Sequence, residues 1–200
     1  MTNGPKEKIK VLFLDVDGVL NSYRNVAAYG RFPWPNEPQE SELDPIALQM
    51  IRRICRDLDV KIVLSSTWRE HVNPVQWGEK WDLPIIDSTS INFAKARAIA
   101  EWIRNPESKY EVTEYVIIDD DWMRDDGHQV YTTIVGGMLL IHYIVLRMLL
   151  GDADIASQYA VGPQDVRAVF KGDMTPLFPG YNFGKEQPSG DFQTESDNSF

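Results

Sequence analysis

The chain has 200 residues, 43% of them apolar and 25% charged, the profile of one globular domain with a sizeable core. A formal net charge of -10 excludes a broad basic surface that would grip nucleic acid regardless of sequence, though not a local basic pocket. The single cysteine, Cys55, excludes an internal disulfide and reads as a small core residue in a reducing, cytoplasmic setting.

The opening decapeptide, MTNGPKEKIK, is polar and lacks the apolar stretch of a secretion signal. The run from Lys10 to Asp15, KVLFLD, is rich enough in β formers for a strand buried on both faces. Residues 22 to 43 read as a loop carrying Pro33, Pro35 and Pro38 among the aromatics Tyr23, Tyr29, Phe32 and Trp34. A helix is predicted to start at Asp44, its N-cap, with Pro45 in the first position. Ala47, Met50, Ile51, Ile54, Cys55 and Leu58 then recur at helical spacing. Val60 to Ser66 is the second predicted strand. Residues 67 to 90 read as irregular, with Trp68, Trp77, Trp81 and the short apolar piece LPII.

Phe93 to Ile103 is predicted to be a second helix, with Ser90 or Asn92 as its cap. Glu114 to Asp121 is a third strand, and HQVYTTI, from His128, a fourth. The segment from Ile134 to Leu150 is apolar but interrupted by Gly136, Gly137, His142 and Arg147. It reads as a turn and a buried helix rather than a membrane span. His142 there reads as a satisfied core histidine. A last helix is expected from Gln164 to Phe170. The composition then turns to Gly, Pro, Ser and acidic residues, so residues 1–171 read as the folded domain and 172–200 as a mobile acidic tail. Strand and helix alternate along the domain, which predicts an α/β fold with a mainly parallel sheet between helical layers.

Three predicted strands finish in polar groups: Asp15 with Asp17, Ser65 with Ser66, and Asp119 with Asp120 and Asp121. A lone Asp or Ser after a strand is usually a turn former or a cap. Three such endings at the carboxyl edge of a parallel sheet lie where ligands bind. Carboxylates gathered there repel one another unless a cation neutralises them, and hard oxygen ligands at this density point to Mg²⁺.

DVDGVLN, from Asp15, resembles the first motif of the haloacid dehalogenase-like hydrolase superfamily, Asp-x-Asp-Gly-hydrophobic. The order that follows is also similar: Ser65 in KIVLSSTWR, Lys95 in NFAKARAIAEWI, and Asp119 and Asp120 in YVIIDDD. Together these segments look like the branch described as haloacid dehalogenase domains of Swiss Army Knife RNA repair proteins. The resemblance implies a Rossmann-like three-layer α/β/α sandwich with little or no cap domain. It implies Asp15 as nucleophile, Asp17 as acid/base, Ser65 as phosphoryl ligand and Lys95 as the third element. A Mg²⁺ site of Asp15, Asp17, Asp119 and Asp120 completes the set, and nucleic-acid ends become the substrate class. Which pair of the acidic triplet meets the metal stays open. Loops 22–43 and 67–90 carry none of these motifs and are expected to set specificity.

The chemistry agrees with that order. A carboxylate is repelled by a phosphate dianion until a metal bridges them. Attack by Asp15 forms an aspartyl-phosphate. Asp17, two residues on, can protonate the leaving oxygen and then activate water. Gly18 lets the backbone approach closely. Ser66 is the rival to Ser65, and Arg69 is either a substrate contact or part of a surface ion pair. Lys95 is either a phosphoryl ligand or one more lysine on a solvated helix face. The expected activity is a Mg²⁺-dependent phosphatase acting on a nucleic-acid 3'-phosphate or a nucleotide. A 5'-nucleotidase, a small-metabolite phosphatase and a non-catalytic phospholigand-binding protein are the alternatives.

Overall fold

A computed structural model describes residues 5–33, 35, 43–123 and 127–158. The expected helix from Gln164 to Phe170, the tail from residue 172 and Trp34 lie outside the described residues.

Strand β1 runs from Glu7 to Leu14, and its last four residues are all buried. Side chains alternate along a strand, so such a run needs cover on both faces. Leu12 and Leu14 face one core with Ile62, Leu64, Val116 and Ile118. Val11 and Phe13 face a second core with Val63 and Ile117. Helix α2 (Pro45–Leu58) opens as its sequence predicts: the Asp44 carboxylate accepts the N–H groups of Ile46 at 2.8 Å and Ala47 at 3.1 Å. Ala47, Ile51, Ile54 and Cys55 from its apolar stripe enter the first core. Burial pushes the Cys55 thiol up to about 12, which suits a core residue and not a nucleophile.

Strand β2 (Val60–Leu64) pairs in parallel with β1, Leu64 opposite Leu14. Strand β3 is Ile85–Ser88, helix α4 is Lys95–Arg104, strand β4 is Tyr110–Asp119 and strand β5 is Gln129–Tyr131. The sheet order is β3-β2-β1-β4-β5, and every pairing is parallel. Chain order reverses between β1 and β4, which opens a crevice at the carboxyl edge there. Helix α5 (Leu140–Leu149) packs Val145, Leu146 and Met148 into the first core, while Ile99 and Trp102 of α4 cover the second. The result is the three-layer α/β/α sandwich. Among the described residues no helix is long and apolar enough to cross a membrane. His142, in the first turn of α5, accepts the Leu139 N–H at 3.0 Å.

Two regions read as irregular contain helices. Helix α1 (Tyr23–Tyr29) lies inside the expected loop and closes on Gly30 at φ +88°. Its only buried residue is Asn25, so it carries no apolar period to detect. Helix α3 (Pro74–Trp81) lies inside the 67–90 stretch, preceded by a 3₁₀ turn at Thr67–Glu70. Its start signal was present, since Asn73 caps the Gln76 N–H and Pro74 follows. Trp77 and Trp81, four residues apart, bury its inner face. The same stretch ends in β3, which begins at Ile85, the third residue of LPII.

Candidate active site

The site is built from the ends of neighbouring strands. Leu14, the last residue of β1, lies opposite both Leu64 and Ile118. The ladder continues one step beyond the strands, because the Asp15 N–H donates to the Ile118 carbonyl and the Ser65 N–H to the Leu14 carbonyl. Asp15, Ser65 and Asp119 therefore form one row at the carboxyl edge. All three are buried.

Lys95 enters from the other side, at the first position of α4. Asn92 and Ser90 do not cap this helix: Ala94 occupies the cap position with no side-chain bond, and Ser90 instead accepts the Asn92 N–H. The Lys95 ammonium lies 3.0 Å from Asp15 Oδ2, 3.0 Å from Asp119 Oδ1 and 2.8 Å from Asp119 Oδ2. Burial draws its pKa down, but the two carboxylates outweigh burial and hold it above its usual value. Burial, and then the charge of Asp15, push the Asp119 carboxyl up despite Lys95. Asp120 is raised by burial first, then by Asp15 and Asp121. One cation is thus too little for this many carboxylates.

Carboxylate oxygens of Asp15, Asp119 and Asp120 all lie within 4.8 Å of one another. Asp119 Oδ2 is buried and makes no hydrogen bond, although Lys95 is close. Raised carboxyl groups, three convergent hard oxygens and an unfilled lone pair fit a divalent cation of the Mg²⁺ class. Asp121 stands outside, with its side chain 81% exposed. Asp17, expected among the ligands, does not join this cluster. Its oxygens are engaged elsewhere: Oδ1 accepts from Asn21 at 2.8 Å and Oδ2 from the Trp68 indole N–H at 3.0 Å. Burial raises its pKa in spite of these two bonds, so it keeps a proton to higher pH than a free carboxyl group.

The two serines separate clearly. Ser66 accepts the Trp68 N–H and caps the 3₁₀ turn. The Ser65 hydroxyl is buried with no partner, so it has bonding capacity for a ligand. Arg69 does not face the cluster as a free cation. Its guanidinium donates to the carbonyls of Ser65, Ser66, Thr89 and Ser90, which ties the end of β2 to the end of β3. Two contacts of Asp17 carry no local signal in the sequence. Asn21 holds Asp17 and also accepts the Gly18 N–H at 3.3 Å. Trp68 reaches Asp17 across 51 positions, a distance no local pattern reveals.

Gly18 is required on two counts. Its φ of +74° disfavours any L side chain, and a Cβ there would fall 2.3 Å from the Asp120 carboxyl carbon. Gly18→Ala is expected to push Asp120 out of the cluster. Mg²⁺ titration of activity should then show a raised requirement and a rate lowered on the order of a hundredfold, the cost of a displacement of about 1 Å. A thermal melt should show the smaller backbone penalty, about 1 kcal/mol.

No curated protein and no solved structure matches the chain. The family model described as the HAD domain in Swiss Army Knife RNA repair proteins matches residues 11–138. That span runs from β1 past β5 and includes every residue of the row described above, so the chain belongs to the family of HAD domains found in Swiss Army Knife RNA repair proteins.

Proposed function

We propose that the chain is a Mg²⁺-dependent phosphatase that hydrolyses a phosphate monoester, on a nucleic-acid end or a nucleotide, through an aspartyl-phosphate on Asp15. The observation that carries this reading is the Lys95 ammonium, 3.0 Å from both Asp15 and Asp119, beside an unpartnered Ser65 hydroxyl. A buried cation between carboxylates, with a free hydroxyl in the same row, is a seat for a phosphoryl group. Membership of a family of RNA repair domains supports the nucleic-acid end.

Asp15, Asp119 and Asp120 would hold the metal, which supplies charge neutralisation between nucleophile and ester. Asp15 Oδ1 accepts the Val16 N–H at 2.9 Å and Oδ2 is held by Lys95, so the nucleophile is oriented before substrate arrives. A carboxylate oxygen of Asp15 bonds to phosphorus as the bond to the leaving oxygen breaks. Asp17, whose proton affinity burial raises, gives that oxygen a proton. Asp17 then takes a proton from water, whose oxygen attacks the aspartyl-phosphate and releases inorganic phosphate. Ser65 and Lys95 hold the non-bridging oxygens throughout. Arg69 acts as a positioning residue that fixes the Ser65–Ser66 backbone, and Gly18 admits Asp120.

The test is phosphate release from a short 3'-phosphorylated oligonucleotide, nucleoside monophosphates and a sugar phosphate, at two salt concentrations. The oligonucleotide is expected to be turned over fastest, with shallow salt dependence because few phosphates are neutralised. Chelation should silence release and Mg²⁺ should restore it. Faster turnover of a mononucleotide moves the reading to a nucleotidase. Binding without turnover of any ester would falsify the enzymatic reading in favour of a phospholigand-binding protein.

A further inference from the structure

A cavity of about 460 Å³ opens beside Asp17, lined by Tyr23, Phe32, Pro33, Thr67, Trp68 and His71 among others. Its size suits one small organic ligand. Among the described residues, its lining contains no carboxylate besides Asp17 and no lysine or arginine. Two nearby cations are committed elsewhere: Arg24 pairs with Asp44, and Arg69 with four carbonyls. The walls are aromatic instead. Tyr23 and Phe32 meet edge to face, centroids 5.3 Å apart, and Tyr23 remains 53% exposed at the rim. Trp68 is fixed from behind by Trp77, at 5.8 Å, and by its indole bond to Asp17.

We propose that this cavity seats the base of the single nucleoside that carries the scissile phosphate. The proposal rests on the phosphatase reading and deepens it. Asp17 lines the cavity and is the group assigned to protonate the leaving oxygen, so whatever fills the cavity is the leaving group's body. A ring-lined cavity with no lysine or arginine among its described residues takes a planar aromatic body, since aromatic side chains stack on any base face. It does not recognise a second phosphate, which needs cations, nor a bare sugar, which needs a dense set of polar partners. Trp68 acts as a positioning residue: one edge orients Asp17 while its ring forms the cavity wall. Base recognition and the acid thereby meet in one side chain.

Two measurements on the whole chain test this. The first compares kcat/KM for adenosine monophosphates with that for ribose 5-phosphate under Mg²⁺. The nucleotide should be preferred at least about tenfold, in line with the loss per base on removing an aromatic platform. The double variant Tyr23→Ala/Phe32→Ala should shrink that preference towards one, chiefly through KM. The second needs no turnover: adenosine, without phosphate, is titrated while the Trp68 indole N–H resonance is followed, assigned by its loss in Trp68→Phe. Adenosine should shift it and ribose should not. Equal turnover of nucleotide and ribose phosphate, or a Trp68 signal indifferent to adenosine, overturns the proposal. No release from any ester, with the adenosine shift intact, removes the phosphatase reading and leaves the base seat standing.

Discussion

Asp15→Asn is expected to abolish Mg²⁺-dependent phosphate release while leaving the protein folded. The side chain keeps its shape, and its remaining oxygen can still accept the Val16 N–H that Asp15 holds at 2.9 Å. Lys95 keeps its second partner, Asp119, at 3.0 Å, so no buried ammonium is left unpaired. What disappears is the charge that, on the proposed route, attacks phosphorus. Removing a nucleophile of this kind lowers kcat by about 10⁴-fold or more. The measurement is single-turnover phosphate release with a thermal melt alongside. In the unaltered protein, acid quench during turnover should trap one phosphate per chain on Asp15, and in the variant none. Turnover close to that of the unaltered protein in a folded Asp15→Asn variant removes the covalent route.

The second large effect concerns Asp17. Burial raises its pKa despite the Asn21 and Trp68 bonds. The sign follows directly: a raised carboxyl pKa keeps the protonated form present to higher pH, which suits an acid and limits it on the alkaline side. Asp17→Asn removes the transferable proton and keeps the shape, while its one remaining oxygen can accept from either Asn21 or Trp68. The rate should fall by roughly 10²–10⁴-fold, the range for a positioned acid or base. The loss should be largest for esters with poor leaving groups, because those most need protonation. It should be smallest for a nitrophenyl ester, whose leaving oxygen needs no proton. An equal loss across leaving groups would assign Asp17 to holding the site together and not to proton transfer. The alkaline limb of the pH–rate profile should move with this residue, since it is the group whose proton the first step needs.

Much of this protein was legible in its local patterns. The continuous apolar run of Val11–Leu14 marks a strand covered on both faces, because alternating side chains leave no polar face. Asp44 and Pro45 mark the start of α2, because an N-cap needs a side-chain acceptor and Pro has no N–H to lose there. Acidic and hydroxyl residues after buried strands located Asp15, Ser65 and Asp119 before any contact was known. Helix α1 was illegible because its exposed face and single buried residue carry no period. Helix α3 was legible in Asn73-Pro74 and in Trp77 and Trp81 four residues apart, but at eight residues it is too short to show a sustained period.

Tertiary structure alone decided which of these residues meet. Sheet order places β1 between β2 and β4, and register sets Leu14 opposite Leu64 and Ile118. Neither is encoded locally, since parallel pairing joins segments separated by whole helices. From that register follow the row of Asp15, Ser65 and Asp119 and the grip of Lys95 on two carboxylates, 80 and 24 positions away. The distinction between Ser65, which has no partner, and Ser66, which caps a turn, also rests on contacts. So does the difference in surroundings between Asp15 and Asp17. Two residues apart and chemically alike, they differ because one is drawn to Lys95 and the other to Trp68. Composition names the groups that can do the chemistry; long-range packing assigns each its neighbours, and neighbours set charge, proton affinity and role.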